Sequence, residues 1–403
     1  MTKGREQMSD EILPCYPFSS HGDQLAPELS DLQAHCPVAR VRTNSGNEAW
    51  LVTSYELSRR VLRDRKFARA VLADTDSPVQ DGPILAPELL GAMDHLRQAG
   101  LRDEVLRALG RDQPELPDHW VAKITRAGLG TMACAGSPGD LQRWFAKWVA
   151  AQCMCRVLGL PFADNEWLSV RADLDLTMVT PTQDELARNW SEIHDYMHDH
   201  MVARRPGRPR GLIDRLADLN DRHRQLDDTQ LANIVAVLFV SGYEDFASFL
   251  GVAALNLFQH PDIMATLRDH PEDIPKCVEE LLRCSVVLGN AIPRMATEDD
   301  ELGTTDVEKG DLILLSLDAV NFDPKAFSHP SIFDPARSPN PHMRFGFGRH
   351  HCPGAHLVRR QSVTAFHVLL DQLPSARLAA PVDQIRWHPN RMAIMPVEVP
   401  IEW

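Results

Sequence analysis

The chain has no CxxC spacing, no internal repeat, no low-complexity tract and no composition shift that would mark a linker between domains. Its eight cysteines (15, 36, 134, 153, 155, 277, 284 and 352) follow no secretory signal, which argues against a disulfide framework. The closest pair, Cys153 and Cys155, lies in the apolar run from Val149 to Leu160, where helical packing accounts for both better than metal binding does. The opening segment MTKGREQMSDEILP has no apolar stretch long enough to anchor in a membrane, so a soluble, reduced, cytoplasmic protein is expected. Positive charge is in deficit: the formal charge of −14 repels phosphate backbones and excludes nucleic acid as the expected partner. With 403 residues, 44% of them hydrophobic, the chain can bury a large core. A flexible lead-in over residues 1 to 30 and one domain over 31 to 403 are expected.

What is present is a glycine-flanked cysteine. In Phe345-Gly346-Phe347-Gly348-Arg349-His350-His351-Cys352-Pro353-Gly354-Ala355 the glycines let the backbone fold tightly around one sulfur and let a flat partner approach it. A helix is expected over His356 to Phe366, with Cys352 just before its N-terminus, where partial positive charge favours a thiolate. Taken alone, Cys-x-Gly would suit a structural cysteine in a tight turn equally well. Phe345, Gly348, His350, Cys352 and Gly354 together meet the signature Phe-x-x-Gly-x-His/Arg-x-Cys-x-Gly, and here the sequence resembles the cytochromes P450. The resemblance implies a mainly α fold with small β-sheets, a single domain enclosing haem b, and Cys352 as the axial iron ligand. Phe345, Gly346 and Gly354 would shape the loop against the haem, and His350 would bind a propionate.

Other segments extend the likeness in chain order. Val38 onward and Ala49 to Val52 read as two short strands joined by a turn, followed by a helix capped by Ser54. Residues 68 to 92 read as a surface loop, which in relatives covers the haem pocket. A helix is expected over Gln98 to Leu106, with Gln98 in place of the family's histidine and Arg102 either binding a propionate or solvated. Successive amphipathic helices are expected from Leu141 to about Asp228, broken near Pro161, Pro181 and the basic run 204 to 210. Asp227 to Gln230 form a capping box for a buried helix running to about Gln259, ended by His260-Pro261. Within it, Ser241-Gly242-Tyr243-Glu244-Asp245 stands where the family has Ala-Gly-x-Glu/Asp-Thr, so Glu244 takes the acid position and Asp245 replaces the threonine. Both are candidate catalytic residues, although pairing with neighbouring bases would explain them too.

The resemblance also makes Glu280 and Arg283 the family's Glu-x-x-Arg pair, completed by Arg337 from the later meander. Strands are expected over Val286 to Arg294 and Leu312 to Leu317, with Arg294 at a propionate-binding position and Phe322 where arginine is usual. A substrate pocket is expected from Val240, Ser241, the stretch Val286 to Ile292 (with Val287, Asn290 and Ile292) and Met392, with residues 70 to 92 and 175 to 190. Arg59, Arg60, Arg63, Arg344, Arg349 and Arg359 are either a cationic patch for an acidic ferredoxin, served by a ferredoxin reductase, or ordinary surface arginines. Glu48 to Tyr55, Ala99-Gly100-Leu101-Arg102 and the ending Val399 to Trp403 look like the bacterial P450s that couple cyclodipeptides. The expected activity is therefore oxidation of a tryptophan- or tyrosine-containing cyclodipeptide by radical C–C or C–N coupling. A hydroxylase of a macrolide or terpene, and a haem-thiolate sensor, are the alternatives.

Overall fold

The computed structural model describes residues 13–19, 22–69, 87–111, 113, 115–175, 183–203, 210–388 and 393–403. Its strands are β1 (Cys15–Tyr16), β2 (Val38–Thr43), β3 (Glu48–Val52), β4 (Phe67–Ala68), β5 (Gly139–Asp140), β6 (Ile292–Ala296), β7 (Asp300–Leu302), β8 (Thr305–Val307), β9 (Leu312–Leu315), β10 (Arg377–Leu378) and β11 (Pro400–Glu402). Its first helices are α1 (Pro27–His35), α2 (Tyr55–Arg63), α3 (Pro87–Gln98), α4 (Arg102–Ala108), α5 (Asp118–Ala135), α6 (Trp148–Leu158) and α7 (Asn165–Asp175). There follow α8 (Gln183–Ala203), α9 (Leu212–His223), α10 (Asp228–Phe258), α11 (Pro261–Asp269), α12 (Ile274–Cys284), α13 (Leu317–Asn321) and α14 (Ala355–Gln372). The fold is mainly helical with small sheets.

The alternating residues of β2 and β3 pair antiparallel, and the six-stranded sheet runs β1-β2-β3-β9-β6-β4. Three expectations about this region need correction. The loose lead-in does not hold over its described part: β1 pairs parallel with β2, and Tyr16 is buried edge-on against Phe18 at 5.4 Å. Burying that aromatic surface draws the segment onto the sheet. The strand expected from Val286 starts only at Ile292, because the backbone before it bonds elsewhere: Val287 donates to Asp318 Oδ1 and accepts from Ile394 at 2.8 Å. The strand expected to Leu317 stops at Leu315, because Ser316 caps α13 by accepting from the Ala319 amide at 3.4 Å.

The helix expected over Gln98 to Leu106 is two helices. Gly100 adopts φ +73°, and the amides of Gly100 and Leu101 bond back to the carbonyls of Arg97 (3.1 Å) and Leu96 (2.8 Å). That reciprocal pair is the Schellman stop of α3, and it lets α4 restart at Arg102 in a new direction. Helix α10 begins as its capping box dictates: Asp227 Oδ1 accepts from the Gln230 amide at 2.8 Å, and Gln230 Oε1 from the Asp227 amide at 3.1 Å. By length and composition it could cross a membrane, but 78% of its most apolar window is buried within the protein, as befits a core helix. It forms the spine of the largest hydrophobic cluster.

A buried polar knot fixes the segment that leads into the cysteine loop. Glu280 on α12, with no exposed surface, accepts from Arg283 Nε and Nη2 at 2.8 Å, from Arg337 Nε at 3.0 Å, from Asn340 at 3.1 Å and from the Asp334 amide at 3.1 Å. Arg283 reaches on to the Asn321 carbonyl at 2.9 Å, joining α12 to the end of α13. Replacing Glu280 by alanine would leave two guanidinium groups buried without their carboxylate. We expect Glu280→Ala to lose about 3–5 kcal/mol of unfolding free energy in a urea titration. A loss below about 1 kcal/mol, the size of an ordinary surface pair, would show that the knot does not hold the segment.

Candidate active site

The cysteine loop is built on two left-handed glycines, Gly346 (φ +71°) and Gly348 (φ +72°). A Cβ on Gly348 would sit 2.9 Å from the Leu62 carbonyl oxygen, so glycine also lets the loop lie against α2. The Cys352 amide then donates to the Phe345 carbonyl at 2.9 Å, and the Ala355 amide to the Cys352 carbonyl at 3.3 Å, which turns the chain into α14. The helix-start argument for a thiolate is corrected by burial. Desolvation raises the Cys352 thiol to about 11, outweighing the Gly354 backbone donor and the charges of Arg344 and Arg359, while Asp245 raises it further. A sulfur so placed is anionic when a cation meets it directly.

Cys352 opens into a cavity of about 330 Å³. Its roof is a stripe of α10: Val237, Leu238, Ser241, Gly242, Asp245, Phe246 and Phe249. At 3.6 residues per turn these positions share one face, with Asp245 near its centre. The same phase explains which expected residues are missing from the walls. Val240 and Glu244 are buried off the stripe, and Val287 and Asn290 are buried elsewhere, whereas Ser241 and Ile292 do line the cavity. Leu288, from the expected stretch Val286 to Ile292, lines it too, while Leu282, Met93 and Met154 line it and were not anticipated. Met392, residues 70–86 and residues 176–182 lie outside the described residues.

Asp245 has surface open to the cavity but is enclosed by protein, and burial raises its pKa against the opposing charge of Arg344. Ser241 is satisfied locally, its Oγ donating to the Val237 carbonyl at 2.6 Å.

The wall toward β6 is cationic. Arg69, Arg102, Arg294, Arg349 and His350 line it, opposed by Asp94. Burial, then Arg69 and Arg349, pull Arg294 down to about 9, and burial with Arg294 pulls His350 down to about 4. Arg69 Nε and His350 Nε2 are buried and have no hydrogen-bond partner among the described residues. The unpartnered Arg69 guanidinium N–H, among the repelling guanidinium groups of Arg294 and Arg349 and beside the unpartnered His350 imidazole, fits an anion, and two carboxylates on one planar molecule would satisfy them. No group of three or more His, Cys, Asp or Glu that could hold a metal ion occurs among the described residues. The residues therefore fit haem b: Cys352 would hold its iron, and the cationic wall would hold its propionates. Phe345, Gly346 and Gly354 line the same cavity.

The expected surface patch needs one correction. The Arg344 side chain is 5% exposed and lines the cavity, so it cannot meet a docking partner. Arg59, Arg63 and Arg349 are exposed, Arg60 pairs with Asp300 at 2.8 Å, and Arg359 pairs with Glu279 at 2.7 Å. The missed roof residues were readable by extending the helical phase from Ser241 and Asp245. Arg69 carried no sequence signal, lying just past the two-residue strand Phe67–Ala68.

A family model described as cytochrome P450 matches residues 274–374. The chain is 33% identical over 400 residues to mycocyclosin synthase of Mycobacterium tuberculosis, covering 98% of this chain and 100% of the relative. It is 34% identical to mycinamicin IV hydroxylase/epoxidase of Micromonospora griseorubida, covering 96% and 98% respectively. The solved structure of HinD with NMFT and NO superposes with a TM-score of 0.88 at 31% identity, covering 98% of this chain and 100% of that one.

If Arg294 holds a haem carboxylate, Arg294→Met removes a charge-assisted hydrogen bond of about 1.5–3 kcal/mol. Haem transfer to a scavenger apoprotein should then run about tenfold faster or more. An unchanged rate would remove Arg294 from the haem site.

Proposed function

Since the chain belongs to the cytochrome P450 family, we propose that it oxidises a cyclodipeptide bearing a tryptophan or tyrosine ring and joins rings by radical C–C or C–N coupling in natural-product biosynthesis. The observation that carries this reading is a carboxyl, Asp245, at the centre of the cavity roof in place of the family's threonine, in a chain 33% identical to mycocyclosin synthase end to end. Bound haem b, held through Cys352, supplies the dioxygen-dependent redox chemistry. Around it the chain's own residues bind, orient and move protons. Phe246, Phe249, Leu238, Leu288 and Ile292 offer apolar surface to an aromatic ring and keep bulk water out. Asp245 holds its proton to higher pH than an exposed aspartate does, and can release it into the cavity. Ionised, the same oxygen accepts a diketopiperazine N–H.

Electrons would come from an acidic ferredoxin with its reductase, docking where Arg59 and Arg63 flank the cysteine loop. Arg59 lies over the Phe347 ring at 4.9 Å, beside the residues that carry the sulfur. A second reading, oxygen insertion into a macrolide, is favoured by the 34% identity to mycinamicin IV hydroxylase/epoxidase.

Titration with a panel of cyclodipeptides separates the two. A Soret shift with at least one member, followed by a coupled product without oxygen from labelled dioxygen, is expected. A product carrying one labelled atom would favour the second reading. The pH profile tests Asp245. A carboxyl with a raised pKa donates while protonated, so turnover should fall as pH rises through that pKa. Asp245→Asn should remove this limb and slow turnover by roughly a hundredfold. A limb that persists in the variant would assign the proton to another group.

A further inference from the structure

Arg344 immediately precedes the cysteine loop, yet its guanidinium turns inward. Its counter-ion, Asp318 on α13, is 4% exposed and lies 3.7 Å from Nη1, too far for a hydrogen bond, and Nη1 has no other partner. Asp318 is held from another side, accepting from the Val287 amide. A loose pair of this kind gains little for the fold, because desolvation of both ions offsets their attraction. Its placement is more informative. Arg344, Cys352 and Asp245 line one cavity, and Arg344 acts electrostatically on both of the others.

Among the positive charges near Cys352, Arg344 differs in kind. Arg359 is 29% exposed, so solvent screens it, and Glu279 neutralises it at 2.7 Å. Arg344 is shielded from solvent, and its ion-pair partner Asp318 lies 3.7 Å away without a hydrogen bond between them. We propose that Arg344 is a positioning residue for electron entry: a fixed buried cation that stabilises the electron added to thiolate-bound haem, with Asp318 as the counter-charge that limits its field.

The sign follows from charge alone. One-electron reduction makes the thiolate–haem unit more negative by one unit, so a neighbouring cation favours the reduced form and a neighbouring anion opposes it. Removing Arg344 must therefore lower the reduction potential, and removing Asp318 must raise it. A packing defect would give the two variants no reason to move in opposite directions.

The test is a spectroelectrochemical titration of the haem-loaded protein and of Arg344→Gln, Arg344→Lys and Asp318→Asn. The pH is held well above the Asp318 pKa of about 6, so that this carboxylate is charged. In Arg344→Gln the ferrous-to-ferric ratio at a fixed potential should fall about tenfold, a shift of ~59 mV for one electron. Asp318→Asn should move it the opposite way, and Arg344→Lys, which keeps the charge, should stay near the wild type. Shifts of the same sign in Arg344→Gln and Asp318→Asn, or no shift in either, would overturn the assignment. If Arg344→Gln does not retain haem, Asp318→Asn decides: a potential that is unchanged or lowered refutes the proposal.

Discussion

Burying the Cys352 sulfur strips away the water that would stabilise its anion, and this desolvation is the constraint to which the surrounding structure answers. Desolvation by the surrounding protein pushes the Cys352 thiol up to about 11. The fold therefore has to hold a reluctant ligand where a metal cation can meet it. Two left-handed glycines shape the loop, α2 backs it so closely that Gly348 has no room for a side chain, and the Glu280 knot fixes the preceding segment. None of these groups touches the sulfur. Each removes freedom that would let the loop relax away from the cavity.

The same cavity is electrically unfinished in the opposite sense along one wall. Arg294 falls to about 9 and His350 to about 4 because burial and like neighbours penalise their charged forms. A wall that disfavours its own cations is short of negative charge, which the propionates of a bound haem b would supply. On the proposed reading, one cofactor would answer two separate penalties, a thiol lacking a cation and a cationic wall lacking anions. Binding and folding are linked through both, since what binds the native cavity and not the unfolded chain stabilises the fold by mass action.

Local signals carried much of this architecture. The cysteine loop, the capping box of α10, the Ser54 cap of α2 and the β2–β3 pair all follow from short-range chemistry and appear at the expected positions. What failed depended on distant partners. The residues after Val286 read as strand, but their backbone groups bond to Asp318 and Ile394. Gly100 looked tolerable inside a helix until its φ of +73° stopped α3. Arg344 read as a surface arginine because nothing nearby in sequence announces Asp318 as its buried partner. Choosing Val240 over Val237 and Leu238 was a different failure, one of helical phase that the sequence itself could have prevented.

Phase also decides which of two adjacent carboxylates meets the cavity. Neighbouring residues on a helix point 100° apart, so a roll of α10 by one position would exchange Asp245 for Glu244. Close contacts set the roll. A Cβ on Gly242 would lie 2.6 Å from Met154 Cε, and one on Gly251 would lie 1.7 Å from Gln142 Oε1, so both glycines mark places where neighbouring side chains press against the helix backbone. These contacts bracket Tyr243 to Leu250 and hold Asp245 at the centre of the roof. The acid at this site is therefore specified by where α10 lacks side chains as much as by the carboxylate it carries.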